Sequence, residues 1–325
     1  MSALLILLCA CSAALAQEYY ALEEAEMHFE RFIEQFNRSY ADETEKAMKF
    51  EIFKINLEEI NRMNRESKHA VFGITQFMDM TEEEFINTHT GFRSSDNLTD
   101  YGCTAMDDND IPNANAPESF DWREHNIIGP VKNQLGCGSC FAFSSIGNLE
   151  SQYAIKHKKM ISLSEQQIVD CDTLSNGCQG GTMAGAFTLG GVDSESAYPY
   201  TGRENPRCRY NPAKALAKVV SCNSYTLTSQ ESLKQLLYSN GPISIAAGFK
   251  GYYGGVLHDD ACDVGGVNHA VLLVGYGTEN DTPYWIIKNS WGTIFGENGY
   301  IRVQRGENAR SCGLMNSAMA SAVIQ

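Results

Sequence analysis

The stretch "NQLGCGSCFAFSS", residues 133–145, places two cysteines three positions apart, at Cys137 and Cys140. Apolar residues then follow Cys140 at the spacing of one helix face, at Phe143, Ile146 and Leu149. Cys140 is therefore predicted to begin a helix, where the positive end of the helix dipole stabilises a thiolate. The stretch favours Cys140 as a nucleophile.

A C-x-x-C pair also occurs in redox proteins and as half of a zinc site. A redox motif would be expected in a thioredoxin-like βαβ context, and a zinc site would need a second C-x-x-C or an H-x-x-x-H. We find neither in the sequence. From spacing alone these alternatives remain open.

The chain of 325 residues begins with an apolar run that ends in Ala14-Leu15-Ala16. This run is too short to span a membrane comfortably, and a small-x-small ending is typical of a cleaved secretory signal. A buried helix is the alternative. A secretory signal places the chain in an oxidising compartment, where most cysteines are bridged. Nine of the eleven cysteines remain after its removal, so at least one thiol is free or pairs with another chain.

Acidic residues are concentrated in the first third of the chain. Up to Asn115 there are 9 Lys and Arg against 22 Asp and Glu, and after it 16 against 18, which together give the net charge of −15. An acidic chain without basic runs argues against nucleic acid or an anionic membrane as partner.

The segments of the chain differ in composition and in the spacing of their apolar residues. Residues 18–66 have the apolar spacing of two amphipathic helices, whereas residues 93–117 are acidic, poor in apolar residues and predicted to be an exposed linker. Residues 140–170 are predicted to be helical, and strand-like runs separated by turns begin at Gly241. This order predicts an α+β protein with a cleft between its halves.

Five motifs stand in the order and approximate spacing of papain-family cysteine proteases. They are "NQLGCGSCFAFS", "LSEQQIVDC", "GCQGG", "VNHAVLLVGYG" and "YWIIKNSWG". His269 and Asn289 lie 129 and 149 residues beyond Cys140, as in the signature of this family. The chain thus resembles these enzymes, which implies two domains, one helical and one like a β-barrel, with the active site in the cleft between them.

The N-terminal third resembles the inhibitory propeptides of cathepsin L-like members. The matching positions are Glu45, Lys49, Phe53, Asn56, Ile60 and Asn64, followed by "GITQFMD" at residues 73–79. The resemblance implies a zymogen with a signal peptide at residues 1–16, a helical propeptide at 17–115 and a peptidase domain at 116–325. The new N-terminus is expected between Ile111 and Ala116, because Pro117 and "FDWRE" match the start of mature relatives.

The resemblance also implies roles for single residues. Cys140 attacks the peptide carbonyl, His269 forms an ion pair with the thiolate and protonates the leaving amine, and Asn289 orients His269. Gln134 donates to the oxyanion together with the Cys140 backbone N–H, and Trp291 covers the His269–Asn289 hydrogen bond.

Family disulfides imply that Cys137 pairs with Cys178, Cys171 with Cys208 and Cys262 with Cys312. Cys140 then stays free, as a nucleophile must. Cys103 and Cys222 are left over. They can form a fourth bridge, as near the mature N-terminus of some mite digestive proteases, provided that maturation cuts the chain upstream of Cys103.

The remaining family positions concern substrate. Gly180 and Gly181 are expected to let extended substrate backbone approach. The pocket for the residue before the scissile one (P2) is expected at Thr182, Met183, Ala246, Val267 and Ser317, with Asn268 nearby. None is charged, so an apolar P2 residue is expected. No His-rich occluding insertion is present, which favours endopeptidase action.

The expected partners are protein and peptide substrates, the chain's own propeptide and cystatin-type inhibitors; neither cofactor nor metal is expected. A monomer without a membrane span, extracellular or lysosomal, fits this reading. Asn37, Asn97 and Asn280 stand in N-x-[ST] sequons. Salt-bridged propeptide carboxylates are expected to favour activation in acid. The competing hypothesis is a catalytically weak homologue kept for binding or storage.

Overall fold

The structure is a computed structural model that describes residues 19–93, 98–258, 262, 266–306, 309 and 311–325. The signal peptide expected at residues 1–16 and the sequon at Asn97 lie outside these residues. Within the described part of the chain, we find no helix with the length and apolar character needed to cross a membrane.

The N-terminal region at residues 19–93, here called the prosegment, forms three helices: α1 (Ala25–Gln35), α2 (Glu43–Glu66) and α3 (Glu82–His89). Phe29 and Phe32 of α1 are buried against Phe53 of α2, with ring centroids 5.3 Å apart in each pair, so the apolar faces of the two helices cover each other. Helix α3 begins with a capping box in which Thr81 and Glu84 exchange side-chain to backbone hydrogen bonds.

The first half of the remaining chain contains α4 (Cys140–His157), α5 (Glu165–Cys171) and α6 (Ala184–Thr188). The first three turns of α4 are buried on all sides, which explains why its sequence has only a weak amphipathic pattern. Helix α7 (Gln230–Asn240) does not join this group of helices but packs against the sheet at β7.

The strands are β1 (Ala70–Phe72), β2 (Thr104–Asp107), β3 (Phe120–Asp121), β4 (Val219–Thr226), β5 (Ile243–Ala247), β6 (Tyr252–Leu257), β7 (His269–Glu279), β8 (Thr282–Lys288), β9 (Tyr300–Gln304) and β10 (Met319–Ile324). They join in the order β1-β6-β9-β8-β7-β5-β10-β4-β2, and β3 pairs with β7. Strand β1 belongs to the prosegment and adds to the sheet beside β6.

Two large apolar clusters divide the molecule. One joins the prosegment helices to the sheet around Trp285, Trp291 and Phe295, and the other gathers α4, α5 and α6 around Phe141 and Ile146. The predicted α+β class with a helical and a strand-rich half is confirmed, and α4 packs along β7 where the halves meet.

The linker predicted at residues 93–117 is wrong for part of that segment. Thr104 to Asp107 form β2, which pairs in parallel with residues 223–226 of β4. Cys103 is buried and bonded to Cys222. The polar sequence suggested a linker because β2 is an edge strand whose side chains mostly face solvent.

Four disulfides join described residues: Cys103 to Cys222, Cys137 to Cys178, Cys171 to Cys208 and Cys262 to Cys312. Cys140 is the free cysteine in the described part of the chain. Because Cys137 is bonded to Cys178, it is not available to form a redox or zinc pair with Cys140.

Candidate active site

Cys140 is the first residue of α4 and is completely buried. The disulfide at Cys137 fixes the preceding loop, and Gly138 lets it pass through a narrow space. A Cβ at Gly138 would lie 2.6 Å from the carbonyl oxygens of both Cys178 and Thr90, closer than atoms can approach. The loop therefore places Cys140 at the helix N-terminus only if residue 138 is glycine.

His269 and Asn289 are brought together by the hairpin of β7 and β8. His269 begins β7, Asn289 follows the end of β8, and His269 Nε2 lies 2.7 Å from Asn289 Oδ1. His269 Nδ1 is buried and has no hydrogen-bond partner among the described residues. The second ring nitrogen is thus left for a proton exchanged with a reacting group.

Aromatic rings hold the imidazole from two sides. Trp291 stacks on His269 with centroids 4.3 Å apart and planes 24° apart, and Phe249 meets the ring edge at 5.6 Å. Trp291 and Phe249 are both buried. Two rings that are themselves fixed leave the imidazole little freedom to rotate.

Gln134 is held by hydrogen bonds on both sides of its amide. Its Oε1 accepts from Ser290 Oγ at 2.7 Å, and its Nε2 donates to the carbonyl oxygens of Cys137 at 2.9 Å and His89 at 3.2 Å. The side chain is completely buried. Nε2 therefore points toward the place where the prosegment crosses the cleft.

Burial under the prosegment favours the uncharged forms of both reacting groups. It raises the pKa of the Cys140 thiol to about 12, although nearby backbone N–H groups act in the opposite direction. Burial likewise lowers the pKa of His269 to about 4, although the hydrogen bond from His269 to Asn289 acts in the opposite direction. Charge separation between the two groups is thus disfavoured in the covered state.

The prosegment backbone crosses the cleft between Gly181 and Asn268. Gly91 accepts from Gly181 N at 2.8 Å, Phe92 N donates to Asn268 O at 2.9 Å, and Arg93 N donates to Gly181 O at 3.1 Å. The bridge of Phe92 with Gly181 is parallel. Gly181 and Asn268, expected at the substrate subsites, thus hold prosegment backbone.

One prosegment carbonyl engages two of the expected active-site residues. His89 O accepts from Gln134 Nε2 at 3.2 Å and from Trp291 Nε1 at 3.1 Å. Gln76 of the prosegment also donates to Trp291 O at 2.8 Å. The prosegment therefore covers the donor side of the site as well as the cleft.

The polar residues of the propeptide-like pattern hold this region in shape. Asn56 Nδ2 donates to the carbonyls of Met78 and Met80, both at 2.9 Å. Asn64 is bonded to both backbone groups of Phe72 at 2.8 Å, which fixes β1. These asparagines tie α2 to the segment that leads into the cleft.

The residues expected at the P2 pocket lie close to one another but differ in exposure. Thr182, Met183 and Ala246 are completely buried, whereas Val267 and Ser317 are partly exposed. Ser317 Oγ accepts from Ala246 N at 3.3 Å. Phe92 shares the apolar cluster of Met183, Ala246 and Val267. Sequence reasoning missed His89, Gly91 and Phe92, because no local pattern marks prosegment residues that meet the cleft.

Comparisons with known proteins decide the family. The family model described as "Papain family cysteine protease" matches residues 116–322. The chain belongs to the papain family of cysteine proteases. A second model, "Cathepsin propeptide inhibitor domain (I29)", matches residues 29–85. The chain is therefore a cysteine peptidase zymogen with an inhibitory propeptide domain.

Relatives of known sequence and structure agree with this family. The chain is 44% identical to the viral cathepsin of Mamestra configurata nucleopolyhedrovirus over 342 residues, covering 100% of each chain. Among solved structures, digestive procathepsin L2 from the larval midgut of Tenebrio molitor is similar with a TM-score of 0.84 and 34% identity, over 92% of this chain and 99% of that one. The recombinant stem bromelain precursor has a TM-score of 0.79 and 34% identity, with 93% and 99% covered.

Proposed function

We propose that this papain-family protease hydrolyses peptide bonds through Cys140, His269, Asn289 and Gln134. The Cys140 thiolate attacks the scissile carbonyl carbon and forms a C–S bond, while the carbonyl oxygen gains the negative charge. Gln134 Nε2 and the Cys140 backbone N–H donate to that oxygen. His269 gives its proton to the leaving amine as the C–N bond breaks, and then removes a proton from the water that hydrolyses the thioester.

The hydrogen bond between His269 and Asn289, with Nδ1 left free of other partners among the described residues, carries this proposal. After prosegment removal, a peptidyl epoxide is expected to label one residue of the enzyme, Cys140, with loss of all activity. Peptide mapping by mass spectrometry identifies the labelled residue. An enzyme that resists labelling and cleaves no peptide substrate would instead support the weak homologue kept for binding.

We propose an apolar preference at P2, supported by the way the prosegment uses the same region. Phe92 belongs to the apolar cluster around Met183 and Ala246, and none of the expected pocket residues carries a charge. A panel of dipeptidyl fluorogenic substrates is expected to give kcat/KM values at least roughly tenfold higher for Leu or Phe at P2 than for Arg. Faster cleavage of substrates with Arg at P2 than of those with Leu or Phe there would contradict the assignment.

We place the enzyme in the secretory pathway, extracellular or lysosomal, as a monomer open to cystatin-type inhibitors and with endopeptidase action on proteins and peptides. Four disulfides support an oxidising compartment. The sequons at Asn37 and Asn280 are exposed, which suits glycan attachment.

Acid activation is proposed to depend on His89. The ring is enclosed by Phe77 and Phe85, and burial together with the nearby positive charge of Arg38 lowers its pKa to about 4. Since a free histidine has a pKa of about 6.5, the released prosegment binds more protons than the docked one. Docking is therefore stable above about pH 6.5 and weakens toward pH 4, by up to about 3 kcal/mol.

The prosegment carboxylates contribute differently from the expectation. Among the described residues, the ion pairs of these carboxylates join two prosegment residues in each case. One example is Lys49 with Glu84, a contact that is the main reason why the pKa of Glu84 is lowered. Asp79 beside Arg38 has a pKa raised by burial, so acid favours its docked state. Acid acts through these ion pairs on the fold of the prosegment, while the charges of Glu59 and Glu82 also interact with Lys250 of the peptidase domain.

His89→Gln is expected to move zymogen activation to lower pH by roughly one unit, because glutamine cannot take up the proton that destabilises docking. The measurement is the fraction of Cys140 labelled by a peptidyl epoxide at a fixed time between pH 4 and pH 7. His28→Gln, on α1 outside the cleft, is the control and should behave as the unsubstituted zymogen. An unchanged midpoint in His89→Gln would contradict the proposal.

A further inference from the structure

Residues 103–110 precede the family match that begins at residue 116, yet they are bound to the catalytic sheet. Cys103 is bonded to Cys222 on β4. The next four residues form β2, which pairs with β4 in parallel from Thr104 with Asn223 to Asp107 with Thr226. This segment is therefore part of the sheet by both covalent and backbone contacts.

Side chains extend these contacts toward residue 116. Asp108 Oδ2 accepts from Thr228 N at 2.9 Å and Thr228 Oγ1 at 2.7 Å. Gln235 Oε1 on α7 accepts from the backbone N–H groups of Ala114 at 2.9 Å and Ala116 at 3.2 Å. Met106 and Ile111 pack against the larger apolar cluster.

The inhibitory contacts end earlier in the chain. Arg93 N donates to Gly181 O and its Nη2 donates to Gly180 O at 3.1 Å, and Leu98 and Tyr101 pack against the apolar cluster of Met183, all upstream of Cys103. Removing the inhibitor therefore does not require the loss of residues 103–115. Their loss would also expose the outer edge of β4, with unpaired backbone N–H and C=O groups.

We propose that the mature enzyme keeps residues 103–115 as an additional edge strand, and that the cut releasing the inhibitor lies upstream of Cys103. This position differs from the cut expected between Ile111 and Ala116. Should a second cut occur there, the disulfide to Cys222 still holds β2 on the enzyme as a short second chain.

The intact mass and N-terminal sequence of acid-activated enzyme, blocked with a peptidyl epoxide, test this proposal. Measured without reductant, the enzyme is expected to contain residues 103–110 in every molecule. After a single cut, reduction adds only the hydrogens of the opened disulfides; after a second cut, it releases a peptide containing Cys103. Both results support retention. A non-reduced enzyme that begins between Ile111 and Ala116 and carries no second peptide would overturn it.

A paired variant gives an independent reading. If β2 stays, Cys103→Ser with Cys222→Ser is expected to lower the Tm of the blocked mature enzyme by roughly 5 to 10 °C, because the bridge closes a loop of more than a hundred residues. If the strand is discarded, the mature variant and the unsubstituted mature enzyme should unfold at the same temperature. Labelling at Cys140 in both enzymes separates this result from any failure of the proposed activity.

A second inference concerns catalysis and rests on the proposed roles of Gln134 and Cys140. Its evidence is the set of contacts that Tyr200 makes. Tyr200 Oη donates to Gln134 O at 2.8 Å and lies 2.7 Å from Ser139 Oγ. Its ring meets Phe143 edge-on at 4.9 Å. Tyr200 thus joins the two ends of the loop at residues 134–139, whose flanks supply both expected oxyanion donors.

We infer that Tyr200 is a positioning residue for the oxyanion site. It acts by holding the Gln134 carbonyl and the Ser139 hydroxyl at the separation that directs Gln134 Nε2 and the Cys140 N–H to one oxygen. Donors of this kind are effective only when fixed before the charge develops. A small loss of order in the loop should therefore lower kcat and leave KM nearly unchanged.

Tyr200→Phe is expected to lower kcat for peptide hydrolysis roughly tenfold. It should also weaken the binding of a peptide aldehyde inhibitor, which forms an oxyanion when bound, by a similar factor. Alkylation of Cys140 by iodoacetamide needs no oxyanion and should keep its rate. Tyr198→Phe is the control, since its hydroxyl donates instead to Asp170 at 2.8 Å. Ser139→Ala, which keeps the bond from Tyr200 to Gln134, should lose less activity.

Two results would overturn this role. Unchanged hydrolysis in Tyr200→Phe would show that the clamp is not needed, and equal losses of hydrolysis and alkylation would indicate a general effect on folding. An unsubstituted mature enzyme that neither hydrolyses peptides nor reacts at Cys140 would contradict the proposed function itself.

Discussion

Cys140→Ala is expected to lower kcat/KM for peptide hydrolysis by at least roughly 10⁴-fold, because no thioester can form without the sulfur. The other parts of the site remain in place, so substrate binding should persist. Activity is measured on a fluorogenic peptide with apolar P2, after the prosegment has been removed by an added protease. A variant that retains more than a hundredth of the activity would contradict the assignment of Cys140.

Controls separate loss of the nucleophile from loss of structure. Cys140→Ser keeps nearly the same volume at this fully buried position and should be as inactive as Cys140→Ala, while both should unfold at a temperature close to that of the unsubstituted enzyme. Asn289→Ala should be less severe, since it removes the orienting hydrogen bond to His269 but leaves both reacting groups.

Gly91→Ala is expected to break latency at neutral pH without any cut in the chain. A Cβ on Gly91 would lie 2.1 Å from Gly138 O, and its backbone has φ of +155°, which a side chain rarely adopts. The chain must then move away and lose its bonds with Gly181 and Asn268. The strain and lost hydrogen bonds together cost about 3 to 4 kcal/mol.

The measurement for Gly91→Ala is the rate at which a peptidyl epoxide labels Cys140 in uncut zymogen at pH 7, with the chain checked on a gel. The rate should rise by roughly 10² to 10³-fold. Gly102→Ala is a matched control, because Gly102 also has positive φ, at +89°, but a Cβ there would meet nothing within 4 Å. Labelling of Gly91→Ala as slow as that of Gly102→Ala would show that Gly91 does not control access.

The sequence by itself predicted the family, and it indicated candidate site residues, two of which, His269 and Asn289, the structure brings into hydrogen-bond contact. Residue spacing could indicate them because Cys140, His269 and Asn289 each stand at the boundary of an element whose pattern is local: the start of α4, the start of β7 and the end of β8. Helices α1 and α2 of the prosegment were predicted from their apolar spacing for the same reason. The asparagines at positions 56 and 64 were recognised as a pattern, and the structure supplies their reason in the backbone groups they hold.

Only the tertiary structure showed how the prosegment meets the enzyme. The carbonyl of His89 on Gln134, Gly91 against Gly138 and Phe92 in the apolar cluster join residues about 45 to 175 positions apart, and nothing in their neighbours along the chain specifies the contact.

The wrong prediction of a linker at residues 93–117 also arises from contacts between distant parts of the chain. The composition of these residues is that of a linker, yet residues 104–107 form a strand of the catalytic sheet. An edge strand exposes most of its side chains and gains its stability from backbone hydrogen bonds and, here, from a disulfide to a residue 119 positions away. Local sequence determines helices and strands that bury a face, whereas backbone pairing between distant segments is decided only when the chain has folded.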